Sequence, residues 1–160
     1  MAGKTPLCVL CFCVLAMTVL AQHPRQATLA QQKMCADQAK RFFADDSETA
    51  SFGATKKTTV MVPPSYIDHY DAKANVCYVA IVRGDSIDGG QTITFSTSVF
   101  DAFERTSYAT YIWTSDKEKK FWQVKPTMCE VEPRGQDKIT CKSEDEFNQL
   151  VQKYLGLVLR

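Results

Sequence analysis

Cysteine is the residue type that most restricts how this chain can fold. Of its seven cysteines, three lie in an apolar run at residues 7–20 and four lie beyond it. An even number of cysteines behind such a leader is typical of disulfide bonds formed in an oxidising compartment. Zinc is the competing interpretation, but the chain has no CxxC pair and its only histidines are His23 and His69. We therefore expect no metal and no cofactor, and we expect disulfide bonds among Cys35, Cys77, Cys129 and Cys141.

Residues 1–21 have the pattern of a secretory signal peptide. A single lysine precedes the apolar run, and short side chains precede a cleavage point before Gln22. The run is shorter than the roughly 20 apolar residues that cross a bilayer, which disfavours the alternative of an uncleaved membrane anchor. The pattern predicts a secreted or periplasmic protein without a stable membrane anchor. It also predicts a disordered mature N-terminus at 22–27 and one domain at 28–160.

The charges of the mature chain balance. Removal of residues 1–21 takes away one lysine and no acid, which leaves 18 basic and 18 acidic residues. A neutral chain without a basic stripe is a poor binder of nucleic acid or of an anionic membrane. We expect no nucleic-acid partner, and we expect instead a protein or another macromolecule of the envelope or the extracellular space.

An N-terminal helix is predicted from Thr28 to about Asp45. Thr28 and Gln31 have the spacing of a capping box, which places the start of the helix. The apolar positions Cys35, Ala39, Phe42 and Phe43 then fall on one stripe. Residues 47–64, which are mostly polar, are expected to form a long connection that is mobile or lies across the surface as a cover.

Residues 65–83 predict two strands joined by a polar turn. With residues 71–75 as the turn, His69 pairs with Cys77 across the hairpin. Because side chains alternate along a strand, His69 and Cys77 share the apolar face, which should pack on the helix at Cys35. The opposite face would then carry the three tyrosines Tyr66, Tyr70 and Tyr78.

Residues 128–141 predict a second hairpin with a loop at 133–137. One register gives three matched pairs: Glu132 with Lys138, Val131 with Ile139 and Cys129 with Cys141. The last pair is placed for a disulfide bond, which leaves Cys35 for Cys77. The two other pairings of the four cysteines stay open.

The remaining pattern completes an α+β fold. Residues 92–103 and 108–115 read as longer strands, so that the chain forms an antiparallel sheet of about five strands. Ser143 and Glu146 form a second capping box, and Gly156 suits a helix C-terminus. We predict a helix packed on one face of the sheet, a disulfide-closed hairpin and a C-terminal helix.

No catalytic signature is present in the chain, so catalysis would rest on scattered polar residues. His69 is a candidate acid or base with Asp71 as its orienting carboxylate. Asp101 and Glu104 are candidates for a paired-carboxylate site of the glycosidase kind. The competing interpretations are favoured: a structural histidine beside the core, and two acids that solvate a hairpin tip.

These observations favour a non-catalytic binding protein over an enzyme. Its contact surface would be the tyrosine face with any exposed ring of the aromatic series Tyr108, Tyr111, Trp113, Phe121 and Trp122. One alternative is a small secreted hydrolase that uses His69 with a nearby carboxylate. The other is an inhibitor of a secreted hydrolase, which would insert the loop at 84–91 or 47–64 into a foreign active site.

Several short segments stand between the four cysteines, among them CADQAKRFF at 35–43, YIDHYD at 66–71, VFDAFE at 99–104 and YATYIW at 108–113. In this combination the chain resembles small uncharacterised bacterial secreted or envelope proteins, which have a cysteine-led helix, an HYD or HYN turn, a second cysteine and a DAFE-like segment. The resemblance covers residues 35–156. It implies export and a bacterial origin, and it carries no activity, cofactor or catalytic residue.

Overall fold

The computed structural model describes residues 26–53, 58–87 and 89–159, with the side chains of the first helix described up to Ser47. The signal peptide expected at 1–21, the segment 22–25 and His23 lie outside the described residues. The elements are α1 (Leu29–Gly53), β1 (Thr58–Asp71), β2 (Val76–Ile87), β3 (Thr92–Asp101), β4 (Ser107–Thr114), a 3₁₀ turn (Phe121–Gln123), β5 (Met128–Val131), β6 (Ile139–Thr140) and α2 (Glu144–Leu155).

The strands form one antiparallel sheet in chain order, which confirms the α+β class. The sheet has six strands instead of about five, because the second hairpin adds a two-residue strand, β6, at its edge. The two helices cover opposite faces. On β2, Cys77 and Val79 belong to the cluster under α1, whereas Tyr78 and Ala80 belong to the cluster under α2.

Helix α1 begins as the capping box predicts and ends later. The Gln31 amide donates to Thr28 Oγ1 at 3.2 Å, and the Thr28 amide donates to Gln31 Oε1 at 3.0 Å. The helix continues to Gly53, and β1 starts at Thr58, so both elements occupy most of the connection expected at 47–64. Residues 54–57 of that connection lie outside the described part of the chain.

Strand β1 contains Pro63 and Pro64, which the sequence placed in the connection. It is an edge strand of the sheet, and its pairing with β2 shifts between Val60 and Val62 and again between Val62 and Ser65. Proline has no backbone N–H to donate, so it is tolerated where the strand faces no second neighbour or bulges away from its partner. The two prolines therefore mark the irregular part of an edge strand.

Both predicted disulfide bonds are present. Cys35–Cys77 joins α1 to the first residues of β2 with the Cα atoms 5.3 Å apart, and Cys129–Cys141 closes the second hairpin at 5.0 Å. The half-cystines are 42 and 12 residues apart, so the first bond closes the longer loop. On the chain-entropy account these loops contribute about 4 and about 3 kcal/mol.

The register predicted for the first hairpin is wrong by one residue. Tyr70 pairs with Cys77, and His69 pairs with Tyr78. Asp71 belongs to β1 and accepts hydrogen bonds from the amides of Lys73 and Ala74, so the turn has four residues instead of five. A shift of one residue exchanges the faces of a strand. His69 therefore lies on the α2 face, and Tyr70 lies under α1.

The second hairpin has the predicted register, with Val131 opposite Ile139. Its ion pair is different, because Lys138 Nζ lies 3.0 Å from Glu130 instead of bonding to Glu132. Helix α2 also begins and ends as predicted. The Glu146 amide donates to Ser143 Oγ at 3.2 Å, and Gly156 caps the helix with a φ of 69°.

Candidate functional site

A meander places its connections alternately at two ends of the sheet, and these ends differ in composition. We name the end with the connections 72–75 and 102–106 the turn end. The end with the connections 89–91 and 115–127 is the open end. The catalytic candidates of the sequence all lie near the turn end. Most of the exposed apolar side chains lie near the open end.

His69 is half-buried and contacts the C-terminus of α2. A Cβ atom added to Gly156 would lie 2.9 Å from His69 Nε2, so the imidazole is packed directly against this helix end. Asp68 and Asp71 line the same groove of about 600 Å³ as His69. Within the described residues, however, neither carboxylate forms an ion pair or hydrogen bond with the imidazole. The structure does not assemble the predicted pair of His69 with Asp71.

Asp101 is buried and its carboxylate is used by its own turn. Oδ1 accepts hydrogen bonds from the Phe103 amide at 2.8 Å and the Glu104 amide at 3.1 Å. The side chain of Glu104 is exposed, and Arg105 pairs with Asp45 of α1. This geometry is that of an Asx turn at a strand end. Asp101 therefore stabilises its turn from a buried position, and of the two acids only Glu104 is exposed to solvent.

The three tyrosines do not share one face. Tyr66 stacks on Phe43 of α1 with the ring centroids 4.9 Å apart, and Tyr70 is buried, donating its hydroxyl proton to Asn75. Tyr78 lies on the opposite face and is 1 % exposed. Burial, followed by the nearby Tyr108 and carboxylates, raises the pKa of Tyr78 to about 12. The exposed tyrosine surface expected from the sequence is therefore absent from the described part of the molecule.

The open end carries a continuous apolar row across four strands. Val62, Gly84, Phe95 and Trp113 are in register on β1, β2, β3 and β4. A Cβ atom on Gly84 would lie 2.9 Å from both Phe95 and Val62, so the absence of a side chain lets both residues pack closely against the backbone of β2. Phe121 extends the row, since its ring centroid lies 4.7 Å from that of Trp113. We name Val62, Phe95, Trp113 and Phe121 the apolar row.

The 115–127 loop holds a tryptophan outward beside this row. Trp122 is 75 % exposed and Phe121 is 56 % exposed. The loop is nevertheless tied to the sheet, because Trp113 Nε1 donates to the Val124 carbonyl at 3.2 Å and the Thr127 amide donates to the Ile112 carbonyl at 2.8 Å. An aromatic side chain is thus displayed on a fixed backbone, which lowers the entropy lost on binding.

The loop that carries the exposed rings is rich in lysine. Four lysines and two acids between residues 115 and 127 give the loop a formal charge of +2. Lys119 is paired with Asp116 at 2.9 Å, and its hydrogen bond holds the pKa of that carboxyl below its usual value. Lys120 Nζ lies 5.3 Å from the centre of the Trp122 ring. The positive charge of the open end therefore adjoins its most exposed apolar side chain.

Exposed apolar side chains are concentrated at this end. Of the twelve large apolar residues that are exposed in the described part of the chain, eight lie on its strands and loops: Val60, Met61, Val62, Ile87, Phe95, Phe121, Trp122 and Met128. Ile87 and Met128 lie on the opposite face of the sheet from the apolar row, so the exposed patch consists of Val62, Phe95 and Phe121 of the row with the adjacent Trp122. Contiguous apolar patches on a monomer mark contact sites, whereas scattered ones are ordinary. The open end is the candidate interaction site.

The sequence foresaw part of this site. It placed Trp113, Phe121 and Trp122 in an aromatic series that would form a contact surface where left uncovered. It missed Val62, Phe95 and the role of Gly84. A glycine inside a strand pattern signals a close approach of neighbours, and this signal was available.

The comparisons with known proteins add no identity. No protein-family model, no curated protein and no solved structure matches the chain. No helix in the described residues is both long and apolar enough to cross a membrane. In the same part of the chain, no group of three or more His, Cys, Asp or Glu side chains is arranged to hold a metal ion.

Proposed function

We propose that this protein is an exported, non-catalytic binding protein whose contact surface is the open end of the sheet. The observation that carries the proposal is Trp122, a large aromatic side chain that is 75 % exposed on a backbone fixed by hydrogen bonds. Burying such a ring against a partner is favourable, since tryptophan adds a large apolar area with few rotatable bonds.

The turn end supports binding over catalysis. Its histidine packs against a helix end, and its buried carboxylate accepts two backbone hydrogen bonds. A catalytic acid or base needs a free position within hydrogen-bond reach of a substrate and, for histidine, an orienting partner. Asp101 is buried in its own turn, and His69, although it lines a groove, has no orienting hydrogen-bond partner within the described residues.

The disulfide bonds support export. Two bonds in a domain of this size are typical of proteins that fold in an oxidising compartment. The leader pattern at residues 1–21 agrees with delivery to such a compartment. We accordingly assign the protein to the periplasm or the extracellular space.

A photo-crosslinking experiment tests the contact surface. Benzoylphenylalanine replaces Trp122 in one variant of the full chain and Phe103 in the other, and each is irradiated with the native envelope and extracellular fractions. Phe103 is a matched control because it is an aromatic side chain 48 % exposed at the turn end. We expect adducts from position 122 and few from position 103. Equal yields at the two positions, or no adduct at 122, would refute the proposal.

A further inference from the structure

The open end has the composition of a surface that meets lipid headgroups. We propose that its partner is an anionic lipid bilayer, which the 115–127 loop enters with Trp122 and Phe121 while the neighbouring lysines bind lipid phosphates. This inference rests on the proposed function, since it names the partner of the same surface.

The shape of the site favours a soft surface. Phe121 and Trp122 do not line the groove beside His69 or the groove beside Phe103, and Trp122 is 75 % exposed. A protruding apolar tip needs a partner that deforms around it or offers a ready-made pocket. The boundary between headgroups and acyl chains deforms, and tryptophan is enriched there because its ring is apolar and its N–H is polar.

The charges of the site point to the same partner. Lysine is depleted at the centres of protein–protein interfaces, where aromatic residues and arginine are enriched. Here Lys120 lies over the ring of the exposed tryptophan, in a loop with a formal charge of +2. Lysine side chains can lay their carbon chains along apolar surface while the ammonium group reaches the headgroups. Tryptophan and phenylalanine beside lysines are the composition of proteins that lie on anionic membranes.

The mature chain has no net charge, which limits its electrostatic attraction to an anionic membrane. With 18 basic and 18 acidic residues there is no long-range attraction to a membrane, in keeping with the weak binding expected from overall charge. The attraction is local, because the loop alone carries +2. Binding should therefore need both the inserted rings and the adjacent lysines, and it should weaken with added salt.

The edge strand β1 is a competing docking surface, but its irregular backbone disfavours pairing with another strand. Val60 and Met61 on β1 are exposed, and an exposed edge strand can pair with a strand of another chain. Two register shifts and the prolines at 63 and 64 interrupt this edge. Bulges and prolines are the features that prevent edge pairing. The face and loop of the open end remain the stronger candidate.

Vesicle co-sedimentation of the mature protein tests the inference. The probes are vesicles of pure phosphatidylglycerol, vesicles of pure phosphatidylcholine and beads coated with polyglutamate. We expect binding to phosphatidylglycerol at low salt, at least about tenfold weaker binding to phosphatidylcholine, and little retention on polyglutamate. Polyglutamate retention as strong as vesicle binding would overturn the choice of lipid in favour of an acidic protein.

Variants show whether the 115–127 loop makes the contact. Trp122→Ala should lower the vesicle partition coefficient about tenfold, and Lys120→Gln about fivefold. Phe103→Ala and Lys73→Gln, both at the turn end, should leave it unchanged. Vesicle binding that is equal in Trp122→Ala and the parent protein would overturn the inference. If the protein does not bind vesicles but the benzoylphenylalanine at position 122 crosslinks to a protein, the lipid proposal is wrong and the proposed binding function stands.

Discussion

The turn end and the open end belong to the same six-stranded sheet, but they use their polar and apolar side chains in opposite ways. At the turn end, polar groups bond to the backbone or to each other, and the Cys35–Cys77 bond fastens α1 over β2. At the open end, Val62, Phe95, Phe121 and Trp122 are exposed, whereas Trp113 is buried in the core cluster under α2. The comparison shows that acids and histidines of the kind found in active sites can stabilise a turn or a helix end. Aromatic and aliphatic side chains of the kind found in a core can form a contact surface.

The largest expected effect is at the turn end. Replacing Cys35 and Cys77 together by alanine should lower the free energy of unfolding by about 4 kcal/mol, because the bond closes the longer loop of the chain. The matched double variant at Cys129 and Cys141 should lose about 3 kcal/mol. Urea unfolding of the mature protein measures both. A smaller loss for the first pair than for the second would show that α1 is held mainly by packing.

Gly84→Ala should break the apolar row. The new Cβ atom would lie 2.9 Å from both Val62 and Phe95, and overpacking of this kind costs about 2 kcal/mol. Urea unfolding again measures the loss. The double variant Phe95→Ala with Gly84→Ala removes the contact with the Phe95 ring, so it should be more stable than the simple sum of its parts predicts. An unchanged free energy of unfolding for Gly84→Ala would mean that Val62 and Phe95 do not pack closely over Gly84.

The buried Tyr78 should make the free energy of unfolding depend on pH in the alkaline range. Its pKa is raised from 10.0 to about 12 in the folded protein, so folding retains the proton that the unfolded chain loses. Its contribution is complete below pH 10 and is lost as the pH rises through 10 towards 12. At a pH midway between these values the loss is about 1.4 kcal/mol.

The control for this pH dependence is Tyr78→Phe, which cannot ionise at that position. Urea unfolding at pH 8 and in mid-alkaline buffer should show a steeper loss in the parent protein than in the variant. Parallel losses would place the phenol in contact with solvent. They would remove Tyr78 from the well-packed part of the molecule.

The smallest expected effect on stability is at Trp122. Trp122→Ala should change the free energy of unfolding by less than about 0.5 kcal/mol, since an exposed side chain loses little apolar contact on removal. Trp113→Ala, which removes the buried neighbour in the row, should cost about 3 kcal/mol or more. Thermal unfolding of both variants makes the comparison. A large loss for Trp122→Ala would assign this ring to the core instead of a contact surface.

The sequence predicted the parts of the fold that depend on local patterns. Capping boxes placed the starts of both helices, and matched pairs in residues 128–141 fixed the register of the second hairpin. The register predicted for the first hairpin was wrong because Asp71 can end a strand as well as begin a turn. A register shift of one residue moves every side chain of a strand to the opposite face. The tyrosine surface was an error that followed directly from that shift.

The candidate site was harder to predict, because it depends on what the helices leave uncovered. The aromatic series around Trp113 and Trp122 was visible in the sequence, but helical cover is a tertiary property. α2 packs over Tyr111 with the ring of Phe147 5.5 Å away, whereas Trp122, with the Lys120 ammonium over its ring, stays 75 % exposed. Periodicity assigns a side chain to a face, and only the packing decides whether that face stays open.

Fluorescence quenching of Trp122 tests the central claim most directly. The chain has two tryptophans, so Trp113→Phe leaves Trp122 as the single reporter at the open end. We predict that acrylamide quenches Trp122 in the free protein almost as readily as a free indole, and that phosphatidylglycerol vesicles protect it and shift its emission to the blue. A Trp122 signal that is already protected in the free protein would contradict the account, because the open end would then be part of the core.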